Sequence, residues 1–146
     1  MIQTIEEISL NAWPSLQQIL DDGWILRFAD GHTKRANSVN QLYVGTKDVY
    51  EKIKRCEQIY VDKNLQPIFR ITPLASPENL DEILAHSGFE KKDVSSVQVM
   101  DLESITPQAA GSIQLWTEFS QDWLDSFIHL GGVTIEPLKI PQRHVI

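Results

Sequence analysis

Hydrophobic and polar positions alternate along this chain with two different periods. Residues 24–29, WILRFA, follow a period of two and place Trp24, Leu26 and Phe28 on one side, which predicts a half-buried strand. Residues 48–64 repeat their apolar positions at a spacing of three or four, which predicts a long amphipathic helix that begins near Thr46 or Asp48. The apolar positions of this helix are Val49, Ile53, Cys56 and Tyr60.

The first segment of the chain predicts another helix, over residues 4–13. Thr4 and Glu7 have the spacing of a capping box, and Pro14 is expected to end the helix near Trp13. One face of this helix carries Ile5, Ile8 and Ala12.

Turn residues predict a hairpin early in the chain. Asp22 and Gly23 form one turn signal before the strand at residues 24–29. The residues DGHT at 30–33 are a second turn signal, so residues 34–44 are expected to return as the partner strand. A further short strand is predicted over residues 67–72.

The segment SPENLDEILAHSGF, residues 76–89, has the signals of a compact helix. Ser76 is expected to cap it, Pro77 to take the first helical position, and Gly88 to end it in a left-handed conformation before Phe89. Its inward positions are Leu80, Ile83 and Leu84.

The last part of the chain predicts two strands and a helix. Residues 93–102 alternate with period two, residues 112–119 form another strand, and residues 120–132 form a helix that Ser120 caps and Gly131 and Gly132 stop. Helices and strands in this order indicate an α+β or mixed α/β fold.

Composition narrows the class of protein. A length of 146 residues allows one domain, and 42% hydrophobic with 23% charged residues is typical of a soluble globular chain. The net charge of −7 argues against a nucleic-acid surface, and no apolar run is long enough to span a membrane. Cys56 has no partner for a disulfide, so a reducing cytoplasmic location is expected, and its helical position favours a core side chain over a nucleophile. The four histidines are scattered without metal-ligand spacing.

The element order and two segments resemble the GNAT superfamily of N-acetyltransferases. Residues 77–89 correspond to a family helix that reads N-x-x-A-x-x-L-Y-x-x-x-G-F, and residues 11–40 resemble the front of larger bacterial members, in which a degenerate GNAT-like lobe precedes a working one. The resemblance covers residues 4–130 and implies a mixed, mostly antiparallel sheet with helices on both faces. It also implies acetyl transfer from acetyl-CoA to an amine. Residues 1–130 are then the N-terminal lobe, and residues 131–146 a tail or linker toward a catalytic lobe.

This chain departs from the family pattern at the positions that carry chemistry. The family's pyrophosphate loop contains two or three glycines before a helix, whereas residues 43–52 contain only Gly45 and place Asp48 at the helix start. The family's catalytic tyrosine corresponds to Leu84, which has no proton to donate. We therefore expect a lobe with no catalytic or cofactor-binding residues of its own, and no bound acetyl-CoA. Its partner is expected to be a catalytic GNAT lobe. Alternatively, the chain is a stand-alone binding or dimerisation module on a decayed GNAT scaffold.

Three polar residues of the predicted hairpin are candidates for substrate binding. Arg27, Arg35 and Asn37 lie where a plain core hairpin has aliphatic side chains, and they are placed to fix a substrate carboxylate or amide between two lobes. In the alternative interpretation the arginines pair with acids such as Asp21 or Asp30, and Asn37 bonds the hairpin backbone.

An apolar arc on the last predicted helix indicates an association surface. If no second lobe covers it, we expect a homodimer through this helix or through residues 112–119; the alternative is a monomer in which the helix folds onto its own sheet. The residues of this arc are Trp123, Phe127 and Leu130, with Leu124 and Ile128 beside them.

Overall fold

The structure is a computed structural model that describes residues 1–104, 117–118 and 120–131. The chain divides into two compact units, Met1–Ser96 and Val97–Ile146. The first unit contains a four-stranded sheet with three α-helices, and the described part of the second contains a short 3₁₀ turn, Leu102–Ser104, and one α-helix. The helices are α1 Ile2–Ala12, α2 Val49–Asp62, α3 Leu80–His86 and α4 Gln121–Gly131.

The sheet is mixed and mostly antiparallel, which confirms the predicted α+β fold class. Its strands follow the order β1-β2-β3-β4; β1 pairs with β2 and β2 with β3 antiparallel, while β3 and β4 are parallel. The strands are β1 Gln17–Asp21, β2 Trp24–Phe28, β3 Val39–Gln41 and β4 Phe69–Arg70.

The turn at Asp22 and Gly23 connects two strands directly. Both residues have positive φ, 47° and 84°, which matches the tight turn that suits the twist of a hairpin. The sequence predicted this turn but not β1 before it. The predicted DGHT hairpin is wrong in detail, because residues 34–36 form a 3₁₀ helix and the return strand begins at Val39. The Thr33 hydroxyl accepts from Ala36 N at 3.2 Å, a capping bond that favours the helical turn.

The core forms where β2 meets α2 and α3, as the two periodicities predict. Trp24, Leu26 and Phe28 are buried on one face of the strand. The Tyr60 hydroxyl donates to the backbone carbonyl of Arg27 at 2.9 Å, which fixes the end of α2 against the strand. The other buried hydrophobic residues of this core are Val39, Ile53, Cys56, Leu80, Ile83 and Leu84.

Helix α1 lies on the domain through polar contacts and not through the predicted apolar face. Its N-cap is Met1 without a side-chain bond, so the predicted capping box at Thr4 is wrong; Thr4 lies inside the helix. Glu6 is its buried residue and forms an ion pair with Arg70 of β4, whereas Ile8 is 61% exposed. The apolar spacing was correct for a helix but did not indicate which side faces the sheet.

The end of α3 was predicted better than its start. Gly88 has φ 92° and Phe89 N donates to Leu84 O at 3.0 Å, which is the expected left-handed helix end. The predicted cap at Ser76 is wrong, because residues 77–79 form a turn closed by Leu80 N to Pro77 O and the helix begins only at Leu80.

The predicted late elements have mixed outcomes. The strand over residues 93–102 is wrong, since residues 91–100 are exposed and pair with no strand among the described residues. The strand at residues 112–119 falls almost wholly outside the described residues, as does the tail after Gly131. Helix α4 is confirmed with its cap, because Trp123 N donates to Ser120 Oγ at 3.2 Å.

Candidate functional site

The loop before α2 presents backbone N–H groups as an anion site would, but a side chain of the same chain receives them. The Asp22 carboxylate accepts from Thr46 N at 2.9 Å, from Thr46 Oγ1 at 3.0 Å and from Lys47 N at 2.9 Å. Successive backbone N–H groups that converge on one point favour an anion. The β1–β2 turn therefore supplies the anion that this loop binds.

Lys52 completes the environment of this carboxylate. Its Nζ lies 3.1 Å from Asp22 Oδ2, donates to the Asp22 carbonyl at 2.7 Å, and lies 4.1 Å from the centroid of the Trp24 ring. The N–H groups of Lys47 and Thr46 hold the pKa of Asp22 well below its usual range, and the Lys52 ammonium acts in the same direction. Asp22 is therefore ionised at neutral pH.

The first turn of α2 has its own internal acceptor. Asp48 is the N-cap, and its carboxylate accepts from Tyr50 N at 3.0 Å and from Glu51 N at 3.1 Å. Capping of this kind satisfies the N–H groups that a bound phosphate would otherwise use. With Asp22 on the loop and Asp48 on the helix, the residues present do not fit the pyrophosphate of acetyl-CoA.

Gly45 is needed for this internal contact. A Cβ atom there would lie under 3.0 Å from the Asp22 carboxylate, the Asp22 carbonyl and Lys52 Nζ. In a phosphate-binding loop a glycine lets the backbone approach a phosphate; here it lets the loop approach Asp22.

A basic depression of about 380 Å³ adjoins this loop. Its cations already have carboxylate partners: Lys47 Nζ lies 2.7 Å and Arg55 Nε 2.9 Å from the two oxygens of Asp21. Its lining residues are Lys47, Glu51, Lys52 and Arg55. Asp21 and Asp22 thus pair with all three cations that line this depression.

Two of the three predicted substrate residues are buried and bonded to backbone. Arg27 is 2% exposed, and its guanidinium donates to Leu10 O at 3.1 Å, to Trp13 O, and to Arg35 O at 3.1 Å. Burial lowers the pKa of Arg27, and no carboxylate among the described residues pairs with it. Arg27 therefore ties the end of α1 to the 3₁₀ turn.

Asn37 has the contacts of the alternative interpretation, because it holds the loop between β2 and β3. Its Oδ1 accepts from Ala29 N at 2.7 Å and Gly31 N at 3.1 Å, and its Nδ2 donates to Thr33 O at 2.7 Å. Every polar atom of the side chain is thus bonded to backbone. A substrate-binding role for Arg27, Arg35 and Asn37 stays a prediction.

The third residue, Arg35, is exposed and lies beside an aromatic ring. Its guanidinium carbon is 5.6 Å from the centroid of the Trp13 ring. Trp13, Thr33 and Arg35 line a second depression of about 290 Å³. The sequence singled out Arg35 but missed Trp13 and Thr33 as its neighbours, because α1 and the loop meet only in the folded chain.

The described residues offer little for acid–base or nucleophilic chemistry. Leu84, at the position of the family's tyrosine, is a core residue. Burial raises the pKa of the Cys56 thiol to about 12, and burial also raises the pKa of the Tyr60 hydroxyl. No group of three or more metal-ligating side chains occurs within the described residues. None of the helices described here has the length and apolar character to cross a membrane.

Comparison with known proteins gives the family. The family model described as "Probable histone acetyltransferase Rv0428c C-terminal" matches residues 1–139. The "Uncharacterized N-acetyltransferase YobR" of Bacillus subtilis (strain 168) is 31% identical over 147 residues, which is 98% of this chain and 56% of YobR. The chain thus spans little more than half the length of this curated relative. No solved structure matches the chain. Together with the mixed α+β sheet, these matches establish that the chain belongs to the GNAT-type N-acetyltransferases.

Proposed function

We propose that this chain is a non-catalytic N-terminal lobe of a GNAT-type N-acetyltransferase, which transfers an acetyl group from acetyl-CoA to an amine. The lobe helps to form the amine site, while a second lobe binds acetyl-CoA and performs the transfer. The observation that carries this proposal is the Asp22 carboxylate on Thr46 N and Lys47 N, where the family places a pyrophosphate.

Electrostatics supports this division of labour. A pyrophosphate at the start of α2 would meet the ionised Asp22 and the capping Asp48, and two anions at one site repel each other. The cations nearby do not compensate, since Lys47 and Arg55 pair with Asp21 and Lys52 with Asp22.

The proportions of the relative agree with a two-lobed arrangement. The match leaves a substantial part of YobR uncovered, since it includes 56% of that protein. Under this proposal the uncovered part is where a glycine-containing loop and a proton-donating tyrosine are expected.

Calorimetric titration of the 146-residue chain with acetyl-CoA at low salt tests the proposal. We expect no saturable heat up to about millimolar acetyl-CoA. A site whose binding free energy is weaker than about 4 kcal/mol is not saturated at that concentration. Micromolar binding by the wild-type chain would overturn it. The matched variant Asp22→Asn shows whether the carboxylate itself blocks the loop: a gain of binding in the variant assigns the block to Asp22, and no gain assigns it to the loop and Asp48.

A further inference from the structure

The depression beside α1 combines an exposed cation with an aromatic face. Within the described ranges, the Arg35 guanidinium makes no hydrogen bond or ion pair. Its central carbon lies 5.6 Å from the centroid of the Trp13 ring. Trp13 is 44% exposed, so part of its ring remains accessible. Thr33, which also lines the depression, is polar, and none of the described residues that line it is an acid.

Two of the residues that line this depression carry donors that no acceptor among the described residues uses. Thr33 Oγ1 accepts from Ala36 N at 3.2 Å, which leaves its hydroxyl hydrogen free to donate within the described residues. Arg35 adds the planar fork of N–H donors that matches a carboxylate in two parallel bonds. An anion there would bring the acceptors that both side chains lack.

Two residues outside the lining hold the backbone of the residues that form the depression. Arg27 bonds the carbonyls of both Trp13 and Arg35, so one buried cation holds the backbone of the two lining residues. Asn37 bonds Thr33 O at 2.7 Å and thereby holds the third. A site whose backbone is fixed in advance loses less entropy when a ligand binds.

The unpaired charge of Arg27 adds to the attraction for an anion. Its side chain contacts three backbone carbonyls and no described carboxylate. The other charged side chain of the 3₁₀ turn, Lys34, is paired with Asp93. Arg27 and Arg35 thus bring two positive charges to this depression that no described carboxylate pairs with, although the whole chain carries −7.

We propose that Trp13, Thr33 and Arg35 form a subsite for a carboxylate attached to a planar apolar group, with the carboxylate on Arg35 and Thr33 and the planar group against Trp13. Arg27 and Asn37 are positioning residues that act through the backbone of the lining residues. This inference rests on the proposed function. It implies that the amine that accepts the acetyl group also carries a carboxylate and an aromatic or similarly flat group.

Nuclear magnetic resonance on the ¹⁵N-labelled chain tests this subsite directly. The probes are phenylacetate, the uncharged phenylacetamide and inorganic phosphate, and the signals followed are the Trp13 indole N–H and the Arg35 Nε–H. We expect phenylacetate to move both signals saturably with a Kd of about 1 mM, and phenylacetamide to bind at least about tenfold more weakly because one charge-assisted pair is lost. Phosphate is expected to move the Arg35 signal without saturating the Trp13 signal.

Variants separate this site from general charge attraction. Arg35→Gln is expected to weaken phenylacetate binding about tenfold or more, Trp13→Leu to weaken it several-fold, and Lys54→Gln, at an exposed cation of α2 outside the lining, to leave it unchanged. Equal binding of phenylacetate and phenylacetamide, no effect of Arg35→Gln, or no saturable shift at all would overturn the subsite. Preference for phosphate over phenylacetate would overturn the carboxylate assignment. None of these readouts involves acetyl-CoA, so a failure here is distinguishable from a failure of the titration above.

Discussion

Lys52 Nζ lies 3.1 Å from the Asp22 carboxylate and donates to the carbonyl of the same residue at 2.7 Å. One ammonium group thus clamps the β1–β2 turn to the start of α2. The carboxylate also receives the loop N–H groups, so Asp22 ties the loop to the fold; under the proposed function this is why the loop does not hold a phosphate.

Acid should weaken the fold through Asp22. Its folded pKa is lowered below the ordinary 3.8, so the stability that it contributes is present above that value and is lost as the pH falls below it. We expect the urea midpoint of the wild type to change little from neutral pH to about pH 5 and to fall steeply below about pH 4, and Asp22→Asn to start lower and fall less. Asp30→Asn is the matched control, since Asp30 also has positive φ, 50°, and is exposed. If the urea midpoints of wild type and Asp22→Asn fell in parallel as the pH is lowered, Asp22 would not be the source of the acid sensitivity.

Gly45→Ala should destabilise the protein by overpacking. The new Cβ would collide with the Asp22 carboxylate and with Lys52 Nζ, so either the loop or the ion pair must shift. We expect a loss of about 1–3 kcal/mol in the free energy of unfolding, measured by urea denaturation. Gly88→Ala serves for comparison, because a Cβ there meets nothing within 4 Å and only its φ of 92° opposes the change, at about 1 kcal/mol. A variant at Gly45 as stable as the wild type would show that the loop relaxes freely.

Local sequence signals predicted local structure well. The spacing of Ile53, Cys56 and Tyr60 identified α2 and its buried side, and Gly88 identified the end of α3, because both depend on neighbours a few residues away. Strand β1 was missed because apolar and polar residues do not alternate along it. Leu20, for example, is 68% exposed although it is apolar.

The site could not be predicted in the same way, because its contacts join distant parts of the chain. Asp22 and Thr46 are 24 positions apart, and nothing in either segment alone pairs them. The sequence did place Asp48 correctly at the start of α2, since a cap depends only on the residues that follow it. In the sequence, an Asp-Gly pair indicates only a turn. The role of the Asp22 carboxylate becomes visible only in the folded chain, where the loop before α2 lies beside it.

Removing the Glu6 charge should loosen α1. Glu6 is 4% exposed and both of its oxygens contact the Arg70 guanidinium, so Glu6→Gln leaves a largely buried cation without its anion. The Arg70 side chain is 29% exposed, and water therefore screens part of the effect. We expect a loss of about 1–3 kcal/mol in unfolding free energy.

A double-mutant cycle with Arg70→Met isolates the pair. The double variant is expected to be more stable than the sum of the two single losses implies, since neither charge is left alone. Glu7→Gln, at the neighbouring acid of the same helix, is the control: Glu7 accepts from the Tyr43 hydroxyl at 3.0 Å, glutamine keeps an acceptor there, and stability should change by less than about 1 kcal/mol. Additive losses in the cycle would show that the two side chains do not depend on each other.

The Cys56 thiol should be inert in the folded chain. Burial, with the charge of Asp21 acting in the same direction, raises its pKa to about 12, so almost no thiolate exists at about pH 8. In denaturing urea, an aromatic disulfide reagent is expected to react promptly with one thiol per chain. Without urea, the same thiol is expected to react only as fast as the chain unfolds. Rapid reaction of the native protein would place Cys56 at an accessible site and contradict its core role.

Helix α4 is expected to form the association surface of this chain when no second lobe covers it. Phe127 is 50% and Leu130 84% exposed, and the Trp123 ring stacks on Phe127 with centroids 5.3 Å apart, so the apolar arc predicted from sequence is a real feature of the helix. A patch of this kind is often an interface. In sedimentation experiments at tens of micromolar, we expect wild type to form a dimer and Phe127→Glu to be monomeric, because the dimer would bury a carboxylate against an apolar surface. His129→Glu introduces an acid away from the arc and should leave the dimer intact. A monomer in all three proteins, with unchanged stability, would rule out the helix as an interface; a dimer in all three would place the interface elsewhere on the chain.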